Sequence, residues 1–425
     1  MQLKGARFSV RFLGCRVNGA EAEALVSALQ QEGAIEDHSH YDLAIVVTCG
    51  VTAMADRKSR QVVSQLRRAC PQACIVATGC WAQEADEEQA RALGVDLLVG
   101  NRQKGRIIQV LKDWEGGFQE HRGELGGLWD PLQAYGSAHH SRALVKVQDG
   151  CDLRCSYCIV PTLRGPSVSR PLDDILAESA RFIDNGCSEL VLTGVHLGLW
   201  GRDLGLDLPR LVDEVSALPG LKRLRFGSLE PFGVTDALLE ALSHSKAFAP
   251  HLHLPLQSGS NRVLREMRRP GTSQDFLHLA RRARQALGDD LHLSTDVMVA
   301  FPGEEEEDFQ ATLDLLLQAR VGRVHGFIFS PRPGTQAASA SKQVPKAEAQ
   351  GRLRRLIHQS DKALSREAMR WVGRPNTVFI EREGREVKGH NEAWLEVVFE
   401  PETPRGQWVT VRPKAEKKGR LFVKP

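Results

Sequence analysis

The sequence contains no long apolar run, and this absence excludes a membrane-spanning protein. A transmembrane helix needs about 20 apolar residues in succession, and polar or charged residues interrupt every apolar stretch of the chain before that length. Residues 1–9 carry charges and lack the apolar core of a secretory signal. We therefore expect a cytoplasmic protein without a membrane partner.

The chain is also short of net charge and of signs of a disulfide framework. Its formal charge is only +3, so any contact with nucleic acid must come from local basic patches. Nine cysteines are an odd number in a chain with no secretion signal, which favours metal or redox chemistry. Hydrophobic residues make up 42% of its 425 residues, enough for several buried cores.

Short apolar strands alternate with helical patterns over residues 1–113. Strands are predicted at 8–12, 43–47, 74–78 and 96–99, and helices at 20–31, 56–69 and 84–93. This alternation predicts a parallel sheet, and such sheets bind ligands beyond the carboxyl ends of their strands. Cys15, Cys49 and Cys80 each follow a strand. The pattern therefore allows three cysteines to meet at one edge of the sheet, although buried packing is the usual role of such cysteines.

A second alternating series follows a linker at 114–141, which has room for one short strand. Strands are predicted at 143–148, 189–193, 224–227, 251–255, 292–299 and 324–329, and helices at 172–184, 260–267 and 305–319. Six βα units predict a partial or complete βα barrel at 142–345, with its active site at the carboxyl ends of the strands.

The remaining chain predicts a connecting helix at 346–370 and a small antiparallel β-barrel at 371–425. Its strands are predicted at 377–381, 395–399, 408–411 and 420–423. This last domain has eleven Lys and Arg residues against eight Asp and Glu, and residues 412–424 are its most basic stretch. The expected fold class of the whole chain is therefore α/β, with a small β-domain at its end.

Cys151, Cys155 and Cys158 form a C-x3-C-x2-C motif directly after a predicted strand. Three thiolates on one loop can hold three irons of a 4Fe–4S cluster and leave the fourth iron open. A zinc loop lacking its fourth ligand is the alternative. The motif and the βα series after it resemble the radical SAM superfamily. This resemblance implies that these cysteines are both metal ligands and catalytic residues, and that the cluster cleaves S-adenosylmethionine.

The segments around the first three cysteines resemble the methylthiotransferase family. They read LGCRVN at Cys15, TCGVT followed by DRKSR at Cys49, and GCWAQ at Cys80. SYCIVP, LTGVH, LPLQSGS, MRRPGT and DVMVAFPGE follow in family order, and the C-terminal barrel resembles the RNA-binding TRAM domain. The resemblance implies a second 4Fe–4S cluster held by Cys15, Cys49 and Cys80, whose open iron carries the sulfur to be transferred. Ala300, Thr162 and Gly50 depart from the family's usual Gly, Tyr and Thr.

The resemblance also implies a reaction and its partners. One S-adenosylmethionine methylates sulfur on the N-terminal cluster, and a second yields a radical that takes hydrogen from C2 of adenine. The DRKSR segment most resembles the branch that acts on N6-threonylcarbamoyladenosine at position 37 of tRNA. The expected partners are the tRNA anticodon loop, a sulfur donor, and a reductant such as flavodoxin or ferredoxin.

Three other functions compete with this interpretation. Isopentenyladenosine in tRNA is the nearest alternative substrate. The branch that modifies a ribosomal-protein aspartate usually has Pro-Lys where this chain has Arg16 and Val17. A non-catalytic iron–sulfur sensor that binds RNA is the alternative from another class, and it would need no pocket for S-adenosylmethionine.

Further contacts with S-adenosylmethionine are carried over from the superfamily. The candidates are Tyr157 near the adenine, the strand-end residues Thr193, Gly194, His196, Ser228, Glu230 and Gln257, and also Arg269 and Asp296. Each has an alternative role as an ordinary strand-end polar residue or a solvated helix charge.

The remaining cysteines, Cys70, Cys74 and Cys187, match no motif and are expected to pack. Several cations lie close in sequence to the cluster cysteines and could face the base or touch RNA phosphates. They are Arg16, Arg57, Lys58, Arg60, Arg164 and Arg170.

Overall fold

The computed structural model of the protein describes residues 1–135 and 141–424. Residues 136–140, near the end of the predicted linker, lie outside the described part. Among the described residues, no helix combines the length and the apolar character needed to cross a membrane.

The first region is a parallel sheet with the strand order β2-β1-β3-β4-β5-β6. Its strands are β1 (Arg7–Phe12), β2 (Ile35–Glu36), β3 (Leu43–Thr48), β4 (Cys74–Gly79), β5 (Leu97–Val99) and β6 (Gln119–His121). Its helices are α1 (Arg16–Gln31), α2 (Ala53–Ala69), α3 (Cys80–Glu84), α4 (Glu87–Ala92) and α5 (Ile107–Asp113). Every residue of β3 and β4 is buried, as parallel strands covered on both faces require.

The helices of this region differ from the predicted ones at their ends. Helix α2 begins earlier than predicted because the Thr52 hydroxyl accepts a hydrogen bond of 3.1 Å from the Ala55 N–H. The helix predicted at 84–93 is the shorter α4, which Asp86 caps by accepting from the Gln89 N–H at 3.0 Å, and α3 before it was not predicted. Strand β6 lies in the predicted linker and extends the sheet.

The second region is an open βα barrel. Its strands are β7 (Ala143–Asp149), β8 (Val168–Ser169), β9 (Glu189–Gly194), β10 (Arg223–Phe226), β11 (His251–His253), β12 (His292–Val299) and β13 (Arg323–Ile328). Its helices are α6 (Val160–Arg164), α7 (Leu172–Asp184), α8 (Leu208–Ser216), α9 (Asp236–His244), α10 (Asn261–Glu266), α11 (Ser273–Leu287) and α12 (Glu306–Gln318). All six predicted strands are confirmed.

The barrel strands follow one another in parallel as β7-β9-β10-β11-β12-β13, while the short β8 pairs antiparallel with β7. Single bridges from Leu224 to Phe248 and from Ser228 to His253 join β10 to the segment of β11. Within the described residues no pairing closes β13 onto β7, so the barrel is partial.

The C-terminal region consists of a long helix and a curled sheet with the order β17-β14-β15-β16-β19-β18. Its elements are α13 (Lys346–Met369), β14 (Asn376–Ile380), β15 (Lys388–His390), β16 (Glu396–Val398), β17 (Trp408–Val411), β18 (Ala415–Lys417) and β19 (Arg420–Phe422). The pairings are antiparallel except that of β16 with β19, which makes the expected small β-domain a half-barrel. Strands β15 and β18 escaped prediction because both are short and polar.

The loop between β15 and β16 closes the amino end of the barrel. Arg225 of β10 donates to the main-chain oxygens of Asn391 at 2.6 Å and Glu392 at 3.0 Å. The Nδ1 atom of His292, the first residue of β12, lies 2.7 Å from the Ala393 oxygen. The C-terminal domain is therefore the floor of the barrel as well as a separate sheet.

A buried ionic network joins the first sheet region to the barrel. Arg164, at the end of α6, donates to Glu21 of α1 at 3.0 Å and to Asp149 of β7 at 2.9 Å. Lys146 contacts the same two carboxylates at 2.7 and 2.6 Å. Burial would raise the pKa of Asp149, but Arg164 and Lys146 together hold it well below its usual value. Both carboxylates are therefore charged inside the protein, and each depends on its cations.

We predict that Arg164→Met destabilises the protein by about 3–5 kcal/mol, because it leaves two buried carboxylates short of a partner. The measurement is the free energy of urea unfolding of the metal-free protein. Arg210→Met is the matched control, since Arg210 forms an exposed ion pair with Glu214 one turn along α8, and such pairs contribute about 0.5 kcal/mol or less. Equal losses in the two variants would contradict the importance of the network.

Candidate active site

The loop of Cys151, Cys155 and Cys158 begins at the carboxyl end of β7 and is held by main-chain contacts. The Cys151 N–H donates to the Gly165 oxygen at 3.1 Å, and the Cys158 N–H donates to the Cys155 oxygen at 3.0 Å. Gly150 has a φ of +72°, and a Cβ atom there would lie 1.9 Å from the Pro166 oxygen. Only glycine fits where this loop leaves the strand.

The three thiols of this loop are close enough to perturb one another. Burial, together with a smaller effect of neighbouring cysteines of the trio, raises the pKa of Cys158 to about 12 and that of Cys151 to about 11. All three are free cysteines. Three thiols held together in one partly buried loop fit a metal cluster, because cluster binding replaces their protons.

Cys15, Cys49 and Cys80 meet at the carboxyl edge of the first sheet. They follow the adjacent strands β1, β3 and β4; Cys15 directly precedes helix α1 and Cys80 begins helix α3. A Cβ atom on Gly14, whose φ is +97°, would lie 2.7 Å from the Cys49 Sγ. Burial, together with a smaller effect of the nearby Cys80 and Cys15, raises the pKa of Cys49 to about 11.

Cys15 is exposed to solvent, whereas Cys49 and Cys80 are buried. The protein packed around the Cys15 thiol raises its pKa. Three thiols of which one is open to solvent fit a 4Fe–4S cluster that keeps one iron for a further ligand.

Polar side chains surround the mouth of the barrel beside the radical loop. Arg269 donates to Glu230 at 2.5 Å and to the Pro255 oxygen at 2.7 Å. Burial raises the pKa of Cys155, and Arg269 beside it opposes this shift. The Nδ1 atom of His196 lies 3.6 Å from the Cys151 Sγ. Glu230, Arg269 and His196 are thus brought together at the predicted cluster loop.

Gln257 and Asp296 face the barrel mouth from the next strands. Gln257 is buried with a φ of +71°, and its side-chain oxygen has no hydrogen-bond partner among the described residues. Asp296 lies 3.2 Å from His253 and 3.4 Å from His325. Although burial would raise the pKa of Asp296, both histidines lower it. Asp296, His253 and His325 are close enough together to bind a metal ion. However, the Asp296 carboxylate already pairs with both imidazoles, so a metal ion is not needed to explain the cluster.

The other predicted contacts have different surroundings. Thr193 is buried at the end of β9, and a Cβ atom on Gly194 would lie 2.9 Å from the Gln148 Oε1. Ser228 is exposed beyond the end of β10. Tyr157 packs against an apolar cluster that includes Met267 of the segment after α10. All of the candidates lie at the carboxyl side of the barrel, and the Tyr157 hydroxyl is close enough to Cys155 to lower the pKa of that thiol.

Gln148 is a site residue that sequence reasoning missed. Its amide nitrogen donates to the oxygens of Asp149 at 2.8 Å and Gly150 at 2.9 Å. Its Oε1 accepts from the His196 N–H at 2.7 Å. Gln148 therefore ties the radical loop to the next strand end. The sequence signal that could have identified Gln148 is a polar glutamine near the end of an otherwise apolar strand, directly before Asp-Gly-Cys.

The three unmatched cysteines have packing roles. Cys74 is buried at the start of β4, and Cys187 donates weakly to the Glu189 oxygen at 3.7 Å. Cys70 ends α2 and donates to the Ser39 oxygen at 3.9 Å.

The chain is similar to two known families and to several individual proteins. Residues 145–316 match the Radical SAM superfamily, and residues 7–100 match uncharacterized protein family UPF0004. The chain is 36% identical to the threonylcarbamoyladenosine tRNA methylthiotransferase MtaB of Chlamydia pneumoniae, over 94% of this chain and 92% of that protein. It is 34% identical to the tRNA-2-methylthio-N(6)-dimethylallyladenosine synthase of Zymomonas mobilis, over 95% and 93%.

Among solved structures, the fold is similar to that of TsrM from Kitasatospora setae, a radical S-adenosylmethionine methyltransferase. The TM-score is 0.57 at 13% identity, over 79% of this chain and 77% of that chain. This likeness supports the fold, while the relatives that match almost the full length identify the chemistry. The chain therefore belongs to the radical SAM methylthiotransferase family, whose members use S-adenosylmethionine and 4Fe–4S clusters.

Proposed function

We propose that the enzyme adds a methylthio group to C2 of N6-threonylcarbamoyladenosine at position 37 of tRNA. The observation that carries this proposal is the pair of cysteine trios, each at the carboxyl ends of parallel strands and linked through the buried Arg164. The MtaB relatives of Chlamydia pneumoniae, Bacillus subtilis and Thermotoga maritima support the choice of base, at 32–36% identity.

In this proposal, Cys151, Cys155 and Cys158 would hold one 4Fe–4S cluster, and the chemistry supplied there would be one-electron cleavage of S-adenosylmethionine. Glu230 and Arg269 suit the amino and carboxylate groups of its methionine part, because the pair offers one anion and one cation. The unpartnered Gln257 oxygen and Asp296 are acceptors suited to its ribose hydroxyls. His196, tied to Gln148, keeps the radical loop in place.

Cys15, Cys49 and Cys80 hold the second cluster, the site of the sulfur to be transferred. Arg164 donates to the Asn18 side chain at 2.6 Å, and Asn18 in turn donates to the oxygens of Leu13 and Thr48, beside two of these cysteines. The same arginine contacts Asp149, just before the radical loop. This chain of contacts fixes the distance between the two sites.

The second candidate substrate is isopentenyladenosine in tRNA. Relatives named for the dimethylallyl substrate are 33–35% identical to the chain, so overall identity does not separate the two. Polar and charged side chains around the barrel interior favour the polar substituent, because a buried polar site rejects a ligand that leaves it unpaired. We propose the tRNA anticodon loop, a sulfur donor and a reductant such as flavodoxin or ferredoxin as partners, in the cytoplasm.

The proposal predicts two independent clusters. Replacing Cys151, Cys155 and Cys158 with Ala should remove about half of the iron from anaerobically reconstituted protein, since each trio holds one four-iron cluster. Cleavage of S-adenosylmethionine should stop. Replacing Cys15, Cys49 and Cys80 is the matched variant and should also halve the iron while leaving that cleavage. Loss of all iron in either variant would contradict two separate sites.

The choice of base is tested with purified enzyme, S-adenosylmethionine, sulfide and reductant. We expect methylthiolation of tRNA bearing threonylcarbamoyladenosine, measured by mass spectrometry of nucleosides, and roughly 100-fold less on isopentenyl tRNA. Modification of the isopentenyl tRNA alone would overturn the substrate and leave the family assignment standing.

The C-terminal domain is proposed to grip RNA through exposed lysines around β18. Deleting the domain would uncover Arg225, so charge removal is the cleaner change. Lys414→Gln with Lys418→Gln should weaken tRNA binding across a salt series and lower the slope of log affinity against log salt by about 1 per contact. Lys4→Gln with Lys112→Gln, exposed on the first region, is the control. An unchanged slope would count against the RNA role.

A further inference from the structure

A cavity of about 330 Å3 lies between the domains on the inner side of the barrel. Leu144 of β7 and Val191 of β9 line it and are register partners. Val145 and Leu192, which follow them on these strands, belong to the core cluster shared with the outer helices. Successive strand residues point to opposite faces of a sheet. The cavity therefore lies on the inner side of the barrel strands. Its volume is in the range of small-ligand sites, roughly 300–1,000 Å3.

The cavity is bordered by the barrel floor and by the residue that follows Cys15. Trp394, from the loop that closes the floor, lines one part of it, and Arg16 lines another. Glu23, Glu381 and Glu383 also line it, and Glu381 is paired with Arg142. The Arg16 Nη1 donates to the Phe226 oxygen at the carboxyl end of β10, 3.2 Å away. A group bound to Arg16 in this cavity would therefore contact the residue next to a cysteine of the proposed sulfur site.

Arg16 differs from the other cations near the cysteines. Arg164 and Arg170 are buried in ion pairs with acidic residues, and Arg60 pairs with Asp56. By contrast, Arg16 forms no ion pair with a carboxylate anywhere in residues 1–135 and 141–424. Of the candidate arginines, it is the one that lines the cavity without a direct ion pair, and the charge of Asp296 acts on it only from beyond ion-pair distance.

Arg16 also differs from the two arginines that lie beside it at the Trp394 ring. Three guanidinium groups surround the Trp394 ring, those of Arg16 at 5.4 Å, Arg142 at 4.9 Å and Arg225 at 4.6 Å from its centroid. Arg142 is paired with Glu381 at 2.9 Å, and Arg225 is paired with a buried glutamate of β9. Arg142 and Arg225 therefore each have an anionic partner within the protein. Of these three arginines, only Arg16 is available to bind the anionic group of a ligand.

We infer that Arg16 binds the carboxylate of the threonylcarbamoyl group, with the substituent lying in the barrel cavity. This inference rests on the proposed function and names the residue that would select its substrate. A guanidinium binds a carboxylate through two parallel hydrogen bonds. An isopentenyl group offers no such partner and would leave the charge unpaired in a desolvated cavity.

The test pairs a change in the enzyme with a change in the substrate. The substrates are anticodon stem-loops bearing threonylcarbamoyladenosine or its carboxamide, which replaces the carboxylate with a neutral group. We expect the carboxamide to lower kcat/KM of the unaltered enzyme roughly 30- to 100-fold. Arg16→Gln should lower kcat/KM on the natural substrate by a similar factor and treat the two substrates within about threefold of each other. Arg16→Lys should restore part of the preference.

Arg57→Gln is the matched control, since Arg57 also follows a cluster cysteine but is exposed on α2. It should keep the full preference for the carboxylate. Iron content and cleavage of S-adenosylmethionine without RNA are measured for each variant, and unchanged values for Arg16→Gln show that the neighbouring Cys15 site is intact.

The outcomes separate the inference from the proposed function. If Arg16→Gln keeps the preference of the unaltered enzyme, or loses activity on both substrates equally as a phosphate contact would, the inference is overturned and the proposed function stands. If the unaltered enzyme modifies only isopentenyl stem-loops, both are overturned.

Discussion

The buried guanidinium of Arg164 is the interaction on which the geometry of the site depends. It belongs to the segment just after the radical loop, but it contacts Glu21 and Asn18 of the other cysteine region as well as Asp149 of its own strand. A planar group with several donors in fixed directions suits this role, because each contact constrains the others. Desolvating these charges is costly unless every one is paired. The network therefore stabilises one relative position of the N-terminal sheet region and the barrel, because a small displacement would break some of these contacts.

This constraint matters because the family's chemistry needs two sites and one substrate in a single space. Each cysteine trio lies beyond the carboxyl ends of parallel strands, where loops are free to vary while the strands stay rigid. The two sheets could meet in many ways, since neither cluster loop alone specifies the other. Arg16, directly after Cys15, contacts β10 of the barrel. The first turn of α1 is thus part of both regions.

The radical loop and the six barrel strands could be predicted from the sequence because each leaves a local pattern, whereas the widely spaced Cys15, Cys49 and Cys80 were predicted as a cluster site only from the family resemblance. Cys151, Cys155 and Cys158 have short fixed spacing, and the strands are apolar runs between helical periods. The ionic network could not be predicted from the sequence. Glu21 and Arg164 are far apart along the chain, and buried charged residues recur with no regular spacing. The loop that closes the amino end of the barrel could not be predicted for a similar reason. The loop that ends at Trp394 lies between short polar strands and has meaning only against β10 and β12.

The C-terminal sheet has two faces with different tasks. Its β15–β16 loop is fixed to Arg225 inside the barrel, while Lys414 and Lys418 are exposed near β18. Helix α13 contacts β13 of the barrel and β18 of the sheet, which connects these two faces by a rigid element. An RNA bound at the lysines would therefore be positioned relative to the barrel interior without a flexible joint. Because the Arg16 guanidinium lies 5.4 Å from the centre of the Trp394 ring, the domain proposed to bind RNA also forms a wall of the cavity proposed to receive the substituent of its modified base.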